Sequence, residues 1–505
     1  MEKLIPLVVN LGVALFIIWV AYRLLQNFLI QPIKELLGIG KNKGGFRAKV
    51  NGKSKKNADS FTLDTTNKPL RIDNPYRGIL IVGGAGSGKS QSFVKPLLTQ
   101  ALKMGFTGIV YDFKSPELLS LAMHQGNDLP INHIDFKNPE KSMRCNPLAT
   151  VKNPIDASEM ATTLVLNLMP EFIKKMDFWG RSTISLLSGL IWYFCKNQPK
   201  NATLPHILAF IFTANSNDIV RILSEDRECL GFISSLKEAI DQGADKQIAG
   251  VVGTLKTALG IYNTSSVFWL LSNDQATLDV NNPDTPSILV IGNDSARSQT
   301  FAPLCSVLIS TSTTLMNQPN RPRSFVLIDE LPTIYLPNIE TLPATARSNK
   351  VACILAMQDL SQLEDTYGKN KMEVIASNLG SQFYGRTTSK ATAERVVAMF
   401  GKQHVSQQTE GSSRSDKGRT YSKSESYLQK DRIEIQEMTN LPAGKFVGII
   451  AEGNRNECKA QIANKTDYTA TDNRTDTTTQ IEMTANFDSI YNDINLFLML
   501  NTDLV

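Results

Sequence analysis

The sequence predicts an α/β protein with a parallel-rich sheet, an inserted all-α domain and one N-terminal transmembrane helix. Apolar strands alternate with helical segments before residue 155 and again after residue 275, which is typical of a parallel sheet covered by helices. Residues 155–275 show helical apolar spacing and few strand signals, which indicates an insertion that splits the α/β part. The first residues form an apolar stretch long enough to cross a bilayer.

This apolar stretch predicts a membrane anchor in residues 1–30. Residues 4–22 are apolar apart from Asn10, and about 20 apolar residues span a bilayer core of about 30 Å. A cleavable signal peptide is the alternative, but Arg23 and two bulky leucines follow where a small-residue cleavage site is needed. Between Arg23 and Lys56 nine bases accompany one acid, so the positive-inside rule predicts an inner-membrane protein with most of the chain in the cytoplasm.

Charge is distributed unevenly along the chain. The net charge of +5 allows a nucleic-acid partner without arguing for one. Residues 31–74 are predicted to form a basic juxtamembrane linker, which can also contact anionic lipid headgroups. Residues 464–505 carry seven acids and two bases and are predicted to form an acidic tail. The six cysteines and four histidines are scattered and match neither a disulfide framework nor a zinc site.

The α/β part is predicted in two pieces, residues 75–154 and residues 276–463. In the first piece, strand 79–82 runs into a Gly-rich loop and a helix, and strand 108–112 follows. The strands predicted in the second piece are 287–291, 325–329, 352–356 and 382–384. The two pieces are expected to form one domain around the helical insertion.

Three segments near the C-terminus have other patterns. Residues 405–429 are rich in Ser, Gln and Lys, with almost no apolar residues, and are predicted to form a mobile loop. Residues 467–479 are rich in Thr and Asp and are predicted to be disordered. Ile490, Ile494, Phe497 and Leu498 then recur at helical spacing, which predicts a helix that packs onto its own domain or docks a partner.

A phosphate-binding loop lies between the first strand and its helix. Residues 83–90 fit G-x-x-x-x-G-K-[ST]. The residues expected to contact a nucleotide are Gly83, Gly84, Ala85, Gly86, Ser87, Gly88, Lys89, Ser90 and Gln91. The glycines let backbone N–H groups turn towards phosphates, at a helix N-terminus with positive partial charge. Lys89 is expected to reach the β- and γ-phosphates of ATP, and the Ser90 hydroxyl to bind Mg²⁺. A plain Gly-rich turn is the alternative.

An acidic pair at the end of an apolar strand supplies the second half of the predicted site. Asp329 is expected to hold Mg²⁺ through water, and Glu330 to orient and deprotonate the attacking water. Adjacent acids at a strand end can also be solvated edge residues, but the loop at Lys89 favours the functional role. Asp329 follows Lys89 by 240 residues, and the helical insertion accounts for that separation.

Further segments, taken with these motifs, resemble the conjugative coupling ATPases of type IV secretion systems over about residues 75–455. Residues 111–117 resemble the family's Asp-Pro-Lys-Gly-Glu segment, although Phe113 stands in place of proline and Ser-Pro in place of glycine. Residues 144–148 resemble the Asn-Pro-Leu segment before the helical domain, and residues 178–181 its initial Phe-Trp. Residues 357–368 resemble Gln-Ser-x-x-Gln-Leu-x-x-x-Tyr-Gly, with Asp in place of Ser.

The resemblance implies a RecA-like core in a hexameric motor and adds two site residues. Gln358 corresponds to a γ-phosphate sensor, with a strand-end hydrogen bond as the alternative role. Arg347 resembles an arginine finger supplied across the subunit interface, a role that suits its planar guanidinium, with a surface ion pair as the alternative. The implied activity is ATP hydrolysis coupled to DNA translocation.

The implied partners are single-stranded DNA with its relaxase, components of the secretion channel, the inner membrane and further copies of the chain. A motor needs mainly backbone charge to hold DNA. Lys350, Lys369, Lys371 and residues 417–423 are candidates for a central channel, although each base is also compatible with an ordinary solvated surface. Two other functions stay open, a coupling ATPase for secreted protein effectors and a docking scaffold that binds nucleotide without hydrolysis.

Overall fold

The computed structural model describes residues 59–125, 128–243, 245–415, 418–463, 470–475 and 477–502. The predicted anchor, residues 1–30, and the predicted linker up to residue 58 lie outside the described residues. Within these ranges, no helix is both long and apolar enough to cross a bilayer.

The described residues form thirteen strands in three sheets. The strands are β1 (Phe61–Leu63), β2 (Leu70–Ile72), β3 (Ile79–Val82), β4 (Thr107–Asp112), β5 (Ile131–Asp135), β6 (Ile288–Gly292), β7 (Ser324–Ile328), β8 (Val351–Met357), β9 (Ser381–Tyr384), β10 (Lys402–Ser415), β11 (Gly418–Asp431), β12 (Lys445–Ile449) and β13 (Glu457–Gln461).

The α-helices of the described residues are α1 (Lys95–Lys103), α2 (Glu117–Gln125), α3 (Pro154–Leu168), α4 (Glu171–Lys174), α5 (Phe178–Asn197), α6 (Leu204–Thr213), α7 (Ser216–Ser224), α8 (Arg227–Asp241), α9 (Asp245–Leu259), α10 (Ser265–Leu270), α11 (Ser298–Met316), α12 (Leu342–Ala346), α13 (Leu360–Tyr367), α14 (Lys369–Asn378), α15 (Lys390–Phe400), α16 (Ile435–Thr439) and α17 (Gln480–Thr502). A single π-helical turn, Ser90–Val94, leads into α1.

The main sheet has nine strands in the order β13-β12-β9-β3-β8-β7-β4-β6-β5. Strands β3 to β9 pair in parallel, whereas β12 pairs antiparallel with β9 and with β13. This arrangement confirms the predicted α/β class with a parallel-rich sheet. The six predicted strands correspond to β3, β4, β6, β7, β8 and β9. The prediction missed β5, β12 and β13, which lie at or next to the sheet edges and are less uniformly apolar.

The central strands are buried on both faces because helices cover both sides of the sheet. All four residues of β3 are buried. Its alternate residues point to opposite faces, so Ile79 and Ile81 pack in the same cluster as α1 and α2. Leu80 and Val82 pack in a second cluster, which continues into the helices between β5 and β6.

From Pro154 to Leu270 the described residues form helices and no strands. Polar side chains begin several of these helices by accepting hydrogen bonds from the first free backbone N–H groups. The capping residues are Asn153 for α3, Asp177 for α5 and Thr203 for α6. This helical segment separates the strand that bears the phosphate-binding loop from the strand that bears the acidic pair.

The end of the predicted linker, residues 59–74, is folded against the α/β part, so the prediction of a linker is wrong for these residues. Strands β1 and β2 pair antiparallel, and Phe61, Leu63, Leu70 and Ile72 are buried with α1. Each of these strands has only two apolar residues, separated by one polar residue. So short an alternation, with polar residues on both sides, does not stand out in the sequence.

The prediction of a mobile loop at residues 405–429 is wrong. Strands β10 and β11 form a β-hairpin in which each strand has 14 residues. Tyr427 and Leu428 are exposed, and no described side chain in this part of β10 or β11 is buried. The ladder therefore rests on backbone hydrogen bonds rather than on an apolar face, which explains why the sequence carried no strand pattern.

The predicted disorder at residues 467–479 is wrong where the structure describes the segment. The guanidinium of Arg474 is almost fully buried, and its Nη2 donates to Asp135 Oδ2 at 2.7 Å. Helix α17 follows, and its Ile490, Ile494 and Phe497 are buried against α6 and α10. The C-terminal helix therefore packs onto its own domain, which is the first of the two outcomes that the sequence left open.

Gly108 in β4 offers a test of how tightly the sheet is packed. A Cβ atom at Gly108 would lie 2.4 Å from the backbone oxygen of Phe325 in β7. We expect Gly108→Ala to lower the free energy of unfolding by about 1–3 kcal/mol, because neighbouring strands would have to move apart. Urea unfolding measures this change.

The matched control is Gly231→Ala in α8, where a Cβ would meet no atom within 4 Å. That substitution should stabilise the protein by about 0.5–1 kcal/mol, since alanine favours the helix. Equal unfolding midpoints for the two variants would contradict the packing described for β4 and β7.

Candidate nucleotide-binding site

Three loops meet at the carboxyl end of the parallel sheet. The phosphate-binding loop follows β3, the acidic pair follows β7, and Gln358 follows β8, which lies between those two strands. Because parallel strands end at the same edge, their loops line one cleft of about 300 Å³. The cleft residues are Gly83, Gly84, Ala85, Gly86, Ser87, Gly88, Lys89, Ser90, Gln91, Lys114, Glu117, Asp329, Glu330 and Gln358.

Glycine is required in the phosphate-binding loop at two positions. Gly86 and Gly88 have φ angles of 71° and 87°, in the region that L-side chains disfavour. A Cβ at Gly88 would also lie 2.8 Å from the backbone nitrogen of Gly444, in the loop before β12. The loop can therefore turn its backbone towards the cleft only with glycine at these positions.

Backbone hydrogen bonds brace the loop from two sides. Gly83 N donates to Met357 O in β8 at 3.1 Å, and Gly84 N donates to Arg386 O at 2.9 Å. From the other side, Gly444 N donates to Ser87 O at 2.7 Å. The loop is thus held in one shape by the same sheet that carries the acidic pair.

Lys89 and Glu330 form a buried ion pair at the centre of the cleft. Lys89 Nζ lies 2.9 Å from Glu330 Oε2 and 3.4 Å from the backbone oxygen of Asp329. The side chains are only 9% and 7% exposed. Glu330 Oε1 accepts the backbone N–H of Gln358 at 2.9 Å. One carboxylate therefore connects the phosphate-binding loop with the ends of β7 and β8.

Asp329 has the features of a cation ligand. Burial raises the pKa of its carboxyl above the ordinary value, and the Lys89 ammonium opposes that rise. Its Oδ1 is buried and has no hydrogen-bond partner among the described residues, and the same holds for Ser87 Oγ. A nucleotide with Mg²⁺ fits this set of groups. The glycine N–H groups and the lysine suit phosphates, and the Ser90 hydroxyl and the buried carboxylate with its free oxygen suit the ion.

The structure adds residues to this cleft that the sequence prediction did not assign to it. Lys114 and Glu117 line it from the segment after β4, and Glu117 Oε1 lies 2.7 Å from Lys95 Nζ of α1. Arg386, after β9, donates from Nη2 to Ala85 O at 3.1 Å. Lys114 and Glu117 lie in the segment that resembles a family motif, whereas nothing local in the sequence distinguishes Arg386.

Arg347 lies outside the cleft of its own chain. It follows α12 and precedes β8, at the opposite end of the sheet from the phosphate-binding loop. Its side chain is 53% exposed, with Nη2 3.9 Å from Glu452 Oε1. The same Glu452 oxygen accepts from Arg77 Nη1 at 2.9 Å. The chain therefore brings Lys89, Asp329 and the other predicted cleft residues together without Arg347.

The candidate DNA-contacting bases lie in different surroundings. Lys350 and Lys369 are exposed. Lys371 already has partners within the chain, because its Nζ lies 3.2 Å from both Glu340 Oε1 and the Tyr335 hydroxyl. Lys417 lies outside the described residues, and Lys423 lies in β11 of the β10–β11 hairpin.

Comparisons with known proteins agree with this fold. The chain matches the family model described as type IV secretory system conjugative DNA transfer over residues 34–480. The structure is similar to the bacterial conjugative coupling protein TrwBΔN70 in an unbound form, with a TM-score of 0.60, 18% identity, and coverage of 80% of this chain and 89% of that chain. No curated protein sequence matches the chain.

Two further structures of the plasmid coupling protein TrwB contain nucleotides. The complex with the non-hydrolysable GTP analogue GDPNP gives a TM-score of 0.61 at 16% identity, covering 80% of this chain and 90% of that chain. The complex with ADP and Mg²⁺ gives 0.60 at 18% identity, covering 78% and 86%. At these identities the likeness establishes a shared fold.

Asp112, at the end of β4, should make the stability of the protein depend on pH. It is buried and accepts the backbone N–H groups of Leu118 and Leu119 at 2.8 and 3.0 Å. Burial raises its pKa to about 7, whereas an unfolded aspartate has a pKa of about 3.9. Between these values the folded state holds the proton more tightly. The free energy of unfolding therefore falls as pH rises from about 4 to about 7, by up to about 4 kcal/mol.

Asp112→Asn should remove this dependence, because asparagine can accept the same hydrogen bonds but cannot ionise. Its stability relative to the unsubstituted protein should increase between pH 4 and pH 7 when urea unfolding is measured at both values. Asp488→Asn, at an exposed position of α17, is the control and should show no such increase. A stability difference for Asp112→Asn that is the same at both pH values would be evidence against the raised pKa.

Proposed function

Because the chain belongs to the type IV secretory system conjugative DNA transfer family, we propose that it is an ATP-hydrolysing coupling protein that moves single-stranded DNA. The observation that carries this proposal is the cleft in which Lys89, Asp329 and Glu330 meet at the carboxyl ends of the parallel strands β3 and β7, on either side of β8. A cleft of this composition can both bind a triphosphate and activate a water.

ATP with Mg²⁺ is the proposed ligand of the cleft. The coupling protein TrwB, which shares the fold, has been observed with ADP and Mg²⁺ and with a non-hydrolysable ATP analogue. In this chain the N–H groups of residues 83–91 would cradle the phosphates, and Ser90 and Asp329 would hold the ion. The bound Mg²⁺ supplies charge neutralisation of the phosphate oxygens.

Lys89 and Glu330 are proposed to exchange partners when nucleotide binds. In the described structure Lys89 Nζ forms an ion pair with Glu330 Oε2 at 2.9 Å. Lys89 would turn to the phosphates, which releases the Glu330 carboxylate to orient a water and accept its proton. Glu330 stays fixed to β8 through the N–H of Gln358. A change in the position of Glu330 would therefore move Gln358 and the start of α13, which begins two residues later.

The site is proposed to be completed between copies of the chain in a ring of six. Arg347 is exposed at the opposite end of the sheet from its own cleft, which is where a residue donated to a neighbouring copy can lie. Its planar guanidinium suits the spread charge of the transferring phosphoryl group. The weak contact with Glu452 would be released on assembly, because exposed ion pairs contribute only about 0–1 kcal/mol.

Residues 1–30 are proposed to anchor the protein in the inner membrane, with the motor in the cytoplasm. The support is the apolar composition of that segment and the excess of bases after it. In this arrangement the ring would receive DNA with its relaxase and deliver it to components of a secretion channel.

The proposal is tested by ATP turnover of the full-length chain in detergent, with and without circular single-stranded DNA. DNA-stimulated turnover supports the motor. Nucleotide binding without turnover in any condition would instead support a docking scaffold. Turnover that DNA does not change would favour a coupling ATPase for secreted proteins.

Glu330→Gln should separate nucleotide binding from hydrolysis. The amide keeps the size and the hydrogen bond to Gln358 but cannot accept a proton, so turnover should fall about a hundredfold or more. Binding of a fluorescent ATP analogue should persist, whereas Lys89→Ala should weaken binding as well. Normal turnover in Glu330→Gln would exclude Glu330 as the base.

A mixing experiment tests the role of Arg347 across the interface. Arg347→Ala and Lys89→Ala should each lower turnover, the former about a thousandfold. Mixed rings should regain activity, because the Lys89→Ala chain can present Arg347 to the intact cleft of the Arg347→Ala chain. Arg77→Ala is the matched control, since Arg77 shares the Glu452 contact but has no proposed role in turnover. No recovery in rings shown to be mixed would contradict the shared site.

A further inference from the structure

An exposed aromatic pair begins α5, the third α-helix of the segment between β5 and β6. Phe178 and Trp179, the first two residues of α5, are 43% and 42% exposed. Their ring centroids lie 5.6 Å apart and the ring planes meet at 79°. Large aromatic side chains are usually buried, so two exposed neighbouring rings suggest a surface that binds a partner.

Packing beneath the pair fixes its position. The Asp177 side chain caps α5 by accepting the Gly180 N–H at 2.9 Å. A Cβ at Gly180 would lie 2.8 Å from Phe172, so the first turn rests closely on α4. A Cβ at Gly250 of α9 would lie 3.0 Å from Cζ3 of Trp179. The indole therefore packs against the backbone of α9 at a position where a larger side chain would displace it. The indole and the first turn of α5 are thus held in place, which limits the entropy lost when a ligand stacks on the indole.

Basic side chains border the rings. Lys174, Lys175 and Arg181 are all exposed, and residues 171–181 hold three bases and two acids. One of the two acids, Asp177, is occupied as the helix cap. Lys174 Nζ lies 3.7 Å from Asp365 Oδ1, but both side chains are more than 70% exposed, so that pair is easily exchanged for another anion.

We propose that Phe178 and Trp179 form a stacking platform for the bases of single-stranded DNA, with Lys175 and Arg181 contacting the phosphates. This inference rests on the proposed function and identifies a contact surface for its substrate. Stacking on aromatic rings within a basic surround is how proteins hold single strands without reading their sequence. Duplex DNA keeps its bases stacked on one another and cannot use such a platform.

The surroundings favour nucleic acid over a protein partner. Stable protein interfaces bury about 800 Å² on each side around a largely apolar centre. Here Phe172 is buried, Met176 is partly buried, and the exposed neighbours of the ring pair in residues 171–181 are charged. The surface offers two rings and several charges rather than a broad apolar patch.

Helix α13 connects the surroundings of the platform with the nucleotide cleft. Asp365, which contacts Lys174, belongs to α13. That helix begins directly after Gln358 and Asp359 at the end of β8. Helix α13 therefore lies between the end of β8 and a base that borders the platform.

Binding of a fluorescein-labelled oligothymidylate to the full-length chain tests the platform. Trp179→Ala should raise the dissociation constant about tenfold, because one base loses its stacking partner. Trp179→Phe keeps a ring and should change it less than about threefold. Lys175→Ala should weaken binding and lower the salt dependence by about one charge. Ile261→Ala, at an exposed apolar residue just beyond the other end of α9, should leave the dissociation constant unchanged.

Intrinsic fluorescence gives a second readout. Oligothymidylate should quench tryptophan emission of the unsubstituted chain, and Trp179→Phe should lose that part of the quenching. The inference is overturned if Trp179→Ala binds the oligonucleotide as tightly as the unsubstituted chain, or if its binding weakens only because light scattering shows that its ring no longer assembles. Neither outcome affects the DNA-stimulated turnover of the unsubstituted chain, whereas an unsubstituted chain with no affinity for single strands would overturn the proposed function as well.

Discussion

The ion pair between Lys89 and Glu330 is the contact on which the arrangement of the cleft depends. It joins the loop after β3 to the end of β7, and the second oxygen of the same carboxylate holds the N–H of Gln358 after β8. A buried ion pair gains little net stability, since the cost of removing both charges from water offsets their attraction. Its value here is positional, because it holds a lysine and a carboxylate side by side where phosphates and a water are proposed to bind.

The direction of the strands imposes the next constraint. All loops that line the cleft leave the carboxyl ends of parallel strands, whereas Arg347 precedes β8 and stands at the amino end. Adjustment of side chains within one chain cannot move Arg347 across the length of the sheet. If this arginine takes part in turnover, a second copy of the chain must supply it.

Much of this organisation could be predicted from the sequence because its signals are local. Strands β3, β7 and β8 are continuous apolar runs, and the glycines before Lys89 and the acids after Ile328 follow them directly. The edge strand β5, the polar hairpin β10–β11 and the folded residues 59–74 carried weak or misleading patterns. The pairing of Arg474 with Asp135 joins residues 339 positions apart and has no local signature. Arg386 and the exposure of Trp179 likewise became visible only in three dimensions.

The most direct test of this account is a structure of the full-length protein with a non-hydrolysable ATP analogue, Mg²⁺ and single-stranded DNA. The account predicts that Lys89 Nζ has left Glu330 for the phosphates, and that Arg347 of the partner subunit has entered the cleft. A structure with the nucleotide bound and Lys89 still 2.9 Å from Glu330, as it is in the chain alone, would contradict the proposed exchange.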